Sequence, residues 1–305
     1  MSVSTYWRID PAADPSRSEP GARRGGLFRD VRPATINRYD YYAQIAQAAA
    51  QTAFDGLFIA YRPDCDDSRI LAAAIARETP RLALIPEFPS SSGSAVYAAK
   101  QAVSFRRATH ERLGWAIAPS GDDRDLARTE EFLAVARGVH SQHPFSFAGD
   151  HFEVQGGGFE APLNRVRAPQ VFLQGDSEES LALSARAADV HLFAAAPIDS
   201  LRHAVEALDA ASLSAGRTVG FGLIQPILAR EDDDEARRDA ERLGLGPDAL
   251  VGTYDAVADR LAQLAALGIG HLVLTAPSSL EEAYRTGQHV LPRLRARTDP
   301  ARAAA

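Results

Sequence analysis

Phe54-Asp55-Gly56-Leu57-Phe58-Ile59-Ala60 is the stretch on which the fold turns. Just before it, Tyr42, Ile45, Ala46 and Ala49 recur at i, i+3, i+4 and i+7, which predicts an amphipathic helix. The run Gly56 to Ala60 is apolar at every position, as expected of a short strand covered on both faces. A helix feeding such a strand is one step of a repeating α/β chain. The far end of the sequence repeats the step. Val257, Leu261, Leu264 and Ala265 mark a helical face, Gly268 suits its C-terminal cap, and His271 to Thr275 reads as a strand.

Working outward, the alternation fills most of the chain. Thr5 to Ile9 is a strand candidate, followed by a loop over 10–37 that is rich in Pro, Gly, Ser and Arg and has no sustained period. Helices are expected near Ser68 to Thr79, Gly93 to Ala108, around Phe132 to Val139, Ser177 to Ala188 and Ser200 to Ala215. Strands are expected at Arg81 to Pro86, Arg112 to Ala118, Gln170 to Gln174, Val190 to Ala194 and Val219 to Leu228. The last helix starts at Ser279. Eight strands interleaved with helices, without a Gly-x-Gly-x-x-Gly fingerprint after the first, favour a closed (β/α)8 TIM barrel over an open doubly wound sheet. One barrel domain is expected to take in all of 1–305. A β-hairpin is inserted within 140–168, where Phe145, Phe147, Phe152 and Val154 flank Ala148-Gly149-Asp150, and 296–305 forms a flexible tail.

Bulk properties narrow the function classes. With 46% hydrophobic and 24% charged residues, the chain has the composition of a globular protein with a full core. A formal charge of −7 disfavours nucleic acid or an acidic membrane surface as partner. No apolar run is long enough to span a bilayer, and Met1 is not followed by a basic segment and apolar stretch of the kind that directs secretion. The single cysteine, Cys65, forms no internal disulfide, so a reducing cytoplasm is the simplest compartment. His140, His143, His151 and Glu153 are metal-ligand types, but their spacing matches no standard motif and no metal site is expected.

Arg38-Tyr39-Asp40-Tyr41-Tyr42 running into Phe54 to Ile59, and Leu267-Gly268-Ile269 through Leu280 to Arg285, resemble the luciferase-like flavin monooxygenases, in particular their alkanesulfonate monooxygenase branch. The resemblance implies a TIM barrel that binds reduced FMN at the C-terminal mouth, with the phosphate in the loop after the fifth strand. Gly175 and Ser177 are the matching cofactor positions, within Gln174-Gly175-Asp176-Ser177-Glu178-Glu179. Backbone N–H groups and the helix dipole attract an anion there. Three carboxylates crowd the same place. At about 6 Å and an effective dielectric of about 20, each repels each unit of phosphate charge by roughly 3 kcal/mol. Asp176 and Glu179 alternatively form a capping box, contributing about 1 kcal/mol to the helix.

Other positions that carry chemistry in that family are altered. Ala116 stands where a flavin-contacting amide is expected, and Leu126 near a tyrosine. Phe221-Gly222-Leu223-Ile224-Gln225-Pro226 replaces a strand bearing Arg and His, so charge and a proton-transfer group are absent at Ile224 and Pro226. Pro277 replaces a tyrosine, and Ser278 and Ser279 with Glu281 and Glu282 read as a helix cap. Arg242 to Asp248 leads almost directly into Leu250, with no long lid between them. Cys65, in Tyr61-Arg62-Pro63-Asp64-Cys65-Asp66-Asp67, is the one match near the family's catalytic centre.

The resulting expectation is a family member with eroded flavin and catalytic positions. It would act as a partner subunit in a two-component reduced-flavin monooxygenase, in a homo- or heterodimer with another luciferase-like barrel and served by a flavin reductase. The alternatives are a self-sufficient FMNH2-dependent monooxygenase with a remodelled site, in which Tyr61, Arg62 and Gln225 are the candidate replacements, and a deazaflavin-dependent oxidoreductase.

Overall fold

The structure is a computed structural model, described over residues 3–11, 39–52, 54–118, 123–277 and 279–298. The segment 12–38, most of the expected first loop, lies outside the described residues, as do 119–122 and 299–305.

Eight parallel strands close on themselves: β1 (Ser4–Ile9), β2 (Gly56–Ile59), β3 (Ala83–Phe88), β4 (Gly114–Ile117), β7 (Gln170–Gln174), β8 (Val190–Ala194), β9 (Gly220–Arg230) and β11 (Ile269–Thr275). The ring closes where β9 pairs with both β8 and β11. Helices cover its outside: α1 (Tyr39–Gln51), α2 (Ser68–Glu78), α3 (Ala95–Ala108), α4 (Asp123–Ser141), α5 (Glu178–Ala187), α6 (Ile198–Ser214), α7 (Asp233–Leu243), α8 (Tyr254–Ala266), α9 (Ser279–Arg285) and α10 (Leu291–Thr298). The expected (β/α)8 barrel is what the chain forms. Among the described residues, no helix is long and apolar enough to cross a membrane.

Strand periodicity sorts side chains between two cores. Trp7, Ile9, Leu57, Ile59, Leu84 and Phe88 point outward, into the layer between sheet and helices. Tyr6, Phe58, Ile85, Ala116, Phe172, Leu192 and Val273 point inward and fill the lumen. Burial on both faces is why these strands read as continuous apolar runs. Phe88 packs edge-on to Trp115 and Phe132, with ring centres 5.5 and 6.1 Å apart, and Phe132 continues the contact to Phe152. Each such pair contributes about 0.5–1.5 kcal/mol beyond its buried area, and together they join β3, β4 and α4 to the inserted hairpin. That hairpin, β5 (Phe145–Ala148) and β6 (Glu153–Gly157), pairs Phe147 with Val154. It docks on α4 at Gly138, where any Cβ would lie 2.0 Å from the Phe145 ring.

Several boundaries differ from the sequence expectation. β3 runs from Ala83 to Phe88 rather than Arg81 to Pro86. Pro86, paired with Ile59, does not end it, and Glu87 therefore lies on the strand. The short strand β10 (Leu250–Thr253), parallel to the outer half of β9, was not foreseen. Four residues with one fully buried position show too little period to mark a strand. The C-terminal helix α10 reaches Thr298 instead of stopping at Arg295, because Arg297 pairs with Asp255 and Asp259 on α8.

Candidate active site at the C-terminal mouth of the barrel

In a TIM barrel the strand C-termini and the loops beyond them form the reactive end. Here the inward positions at that end are Arg8 on β1, Ala60 after β2, Glu87 on β3, Ala118 after β4, Gln174 on β7, Ala194 on β8, Ile224 and Pro226 on β9, and Thr275 on β11. Arg8, Glu87, Gln174 and Thr275 are polar, and the rest are small or apolar.

Glu87 is the centre of the polar sector. It is 6% exposed, and its carboxylate accepts the Tyr61 backbone N–H at 2.7 Å and the Gln174 side-chain amide. Burial pushes its pKa up. The Tyr61 N–H, the charge of Arg8, the Gln174 amide and the charge of Arg62 oppose that rise without cancelling it. Around it, Asp10 holds Arg62 through Nε at 3.0 Å and a terminal nitrogen at 2.5 Å, and lies 3.8 Å from Arg8. Arg8 Nε is buried and has no hydrogen-bond partner among the described residues. The sequence reading missed Glu87 because it ended the strand at Pro86. Alternation through the proline, with Ala83, Ile85 and Glu87 inward, was the available signal.

Cys65 lies in the turn after β2, partly buried, with its backbone N–H on Arg62 O at 3.3 Å. Asp67, from the same acidic run, is the N-cap of α2 and accepts the N–H groups of Arg69 and Ile70. Gly175 adopts φ 136°, which a side chain rarely allows, and a Cβ there would meet Ser180 Oγ at 2.6 Å. Ser177 is the N-cap of α5: its hydroxyl accepts Ser180 N–H at 3.1 Å and lies 3.0 Å from Ser180 Oγ. The cap is therefore Ser177 rather than Asp176, one residue later than expected, and Asp176, Glu178 and Glu179 are all exposed.

Other residues fall elsewhere. Gln225 points out of the lumen, is 3% exposed, and donates to the carbonyls of Pro226 and Asp248. It pins the link between α7 and β10, so it is not a replacement group at the mouth. Ser279 Oγ accepts the Trp7 indole N–H at 2.9 Å, and Glu282 binds Arg230 rather than capping its helix. Leu126 packs against the outer core. His143 lies 3.2 Å from Glu160, and His140 packs against Phe159.

A family model described as luciferase-like monooxygenase matches residues 13–248 of this barrel. The chain belongs to the luciferase-like monooxygenase family. Among solved structures, this member of the family is similar in fold to the EDTA monooxygenase of Chelativorans sp. BNC1, with 19% identity over 97% of this chain and 94% of that one at a TM-score of 0.80. A riboflavin lyase solved with a modified FMN and riboflavin is 17% identical over 97% and 92%, at a TM-score of 0.79. The coenzyme F420 dependent tetrahydromethanopterin reductase of Methanopyrus kandleri is 14% identical over 96% and 100%, at 0.74. Proteins similar in fold thus include one solved with a modified FMN and one named for F420.

Proposed function

We propose that this chain is a partner subunit of a two-component reduced-flavin monooxygenase, a luciferase-like barrel that has kept its scaffold while its own mouth no longer grips FMN. The observation that carries the reading is Glu87: a buried carboxylate held by Tyr61 N–H and Gln174, set among strand ends that offer alanine, isoleucine and proline. A flavin phosphate does not suit the loop after β7. The Ser177 hydroxyl already accepts Ser180 N–H, and Asp176, Glu178 and Glu179 surround the helix end with negative charge. Exposure of those three carboxylates weakens the repulsion but does not turn it into attraction.

Co-expression with a lid-bearing homologue is the test. The expected outcome is a stable heterodimer whose monooxygenase activity, with a flavin reductase supplied, exceeds that of either chain alone. Full activity from this chain by itself would overturn the proposal.

One observation favours a second reading. Arg8, whose Nε is buried with no hydrogen-bond partner among the described residues, and Glu87, whose pKa burial pushes up, place a cation and a carboxyl with a raised pKa at the mouth. A self-sufficient enzyme with a remodelled site would need both, and in it Glu87→Gln abolishes turnover. In the partner reading, the same substitution leaves the activity of the heterodimer unchanged.

A further inference from the structure

At the opposite, N-terminal face of the barrel lies a cavity of about 680 Å3, within the range typical of small-molecule sites. Its floor is the ring cluster that plugs the lower lumen, Tyr6 and Phe172, with Ile85 beside them. Its walls are the C-terminal turns of α3 and α4 and the segment entering β7. This face of a TIM barrel ordinarily serves stability, and Arg112 conforms. Its guanidinium donates to the carbonyls of Ala76, Thr79, Leu82 and Thr109, which ties the end of α2 to β3.

Three other basic groups do not conform. Arg106 is 7% exposed and donates to Leu113 O at 2.7 Å, with Glu111 at 3.3 Å, yet its Nε is buried without a partner among the described residues. His140 Nε2 is likewise buried and has no partner among the described residues. Arg167 is exposed and has no hydrogen bond or ion pair among the described residues. Burial lowers the pKa of Arg106, and the like charge of Arg167 lowers it further despite Glu111. Two guanidiniums thus repel each other at the rim of a cavity with an aromatic floor, and a ligand with a negative end would relieve that repulsion.

We propose that this cavity is a second binding site, for a small organic acid carrying one carboxylate on an aromatic or otherwise apolar body. The carboxylate pairs with the guanidiniums of Arg167 and Arg106, both of which line the cavity. The body covers Phe172 and Ile85. A negative end is the match, because four guanidiniums line the cavity, Arg106, Arg112, Arg137 and Arg167, against the two carboxylates of Glu111 and Asp189. Inorganic phosphate would leave the apolar floor of Phe172 and Ile85 uncovered, which favours an organic acid.

Isothermal titration with benzoate, phenylacetate and 3-phenylpropionate, with benzyl alcohol as the neutral isostere and with inorganic phosphate, tests the site. At least one carboxylate is expected to bind saturably, the alcohol to give no binding, and phosphate to bind at least tenfold more weakly. Arg167→Gln, at an exposed position, is expected to weaken the carboxylate at least tenfold while leaving the urea midpoint unchanged. The proposal is overturned if no carboxylate saturates by about 10 mM, if the Arg167→Gln protein binds like the parent, or if phosphate binds as tightly as the acids.

Discussion

Replacing Glu282 with alanine is expected to lower the unfolding free energy by about 3–5 kcal/mol. Arg230 stands at the end of β9 with its side chain 4% exposed, and Glu282 on α9 is 3% exposed. They form a two-pronged pair, NH1 to Oε2 at 3.0 Å and NH2 to Oε1 at 2.9 Å, while Arg230 Nε donates to Asp239 of α7 at 2.7 Å. Removing Glu282 leaves a guanidinium in the interior with the partly exposed Asp239 at 2.7 Å and the more exposed Glu235 at 4.0 Å against it. The cost is the desolvation of an unpaired charge, not the loss of one bond. Urea unfolding at neutral pH measures it. A loss of less than about 1 kcal/mol would mean that water reaches the pair as it reaches a surface one. Replacing both partners with apolar residues of similar volume should recover most of the loss, since the isolated charge then disappears.

The second large effect is acid destabilisation. His191, on the outer face of β8, has Nδ1 2.8 Å from Ser184 Oγ, and burial pushes its pKa down to about 4. His271, in the lower lumen, has Nδ1 3.0 Å from the Tyr6 hydroxyl, and burial pushes it to about 4 as well, slightly opposed by the charge of Asp55. Unfolded, each imidazole returns to its ordinary value of 6.5. Above that value neither state binds the proton and the histidines contribute nothing to the pH dependence. As pH falls from 6.5 towards 4, only the unfolded chain takes up the two protons, so stability drops, and the drop levels off once the native state protonates too. The expected size is roughly 3 kcal/mol per histidine. Glu87, with its raised pKa, works in the opposite direction over part of this window, because its native form holds a proton that the unfolded chain releases. The unfolding free energy of His191→Asn is therefore expected to fall by about 3 kcal/mol less than that of the parent between neutral pH and about pH 4. An unchanged pH profile would show that His191 is solvated or paired in the native state.

Much of the barrel was legible in the sequence because parallel strands buried on both faces leave uninterrupted apolar runs. Gln170–Gln174 and Val190–Ala194 fall where the pattern places them. What the pattern hides is polar burial. Glu282 read as a helix-capping residue, since nothing in its local sequence points to Arg230, which lies 52 positions away. Gln225 read as a mouth residue because it stands beside Ile224, but the period of two turns it outward onto Asp248 O. Glu87 was lost to a strand stopped at its proline. A parallel strand tolerates Pro86 at the cost of a ladder donor, and the residue after it became the most deeply placed carboxylate at the mouth. In each case a long-range partner decides the role of a polar side chain, and the sequence window around it carries no trace of that partner.

The central claim is that the strand ends of this chain no longer hold a reduced flavin by themselves. An anaerobic equilibrium titration of the purified chain with reduced FMN, followed by flavin fluorescence, tests it most directly. The account predicts no saturable binding up to about 100 μM, whereas a dissociation constant near or below about 1 μM would contradict it.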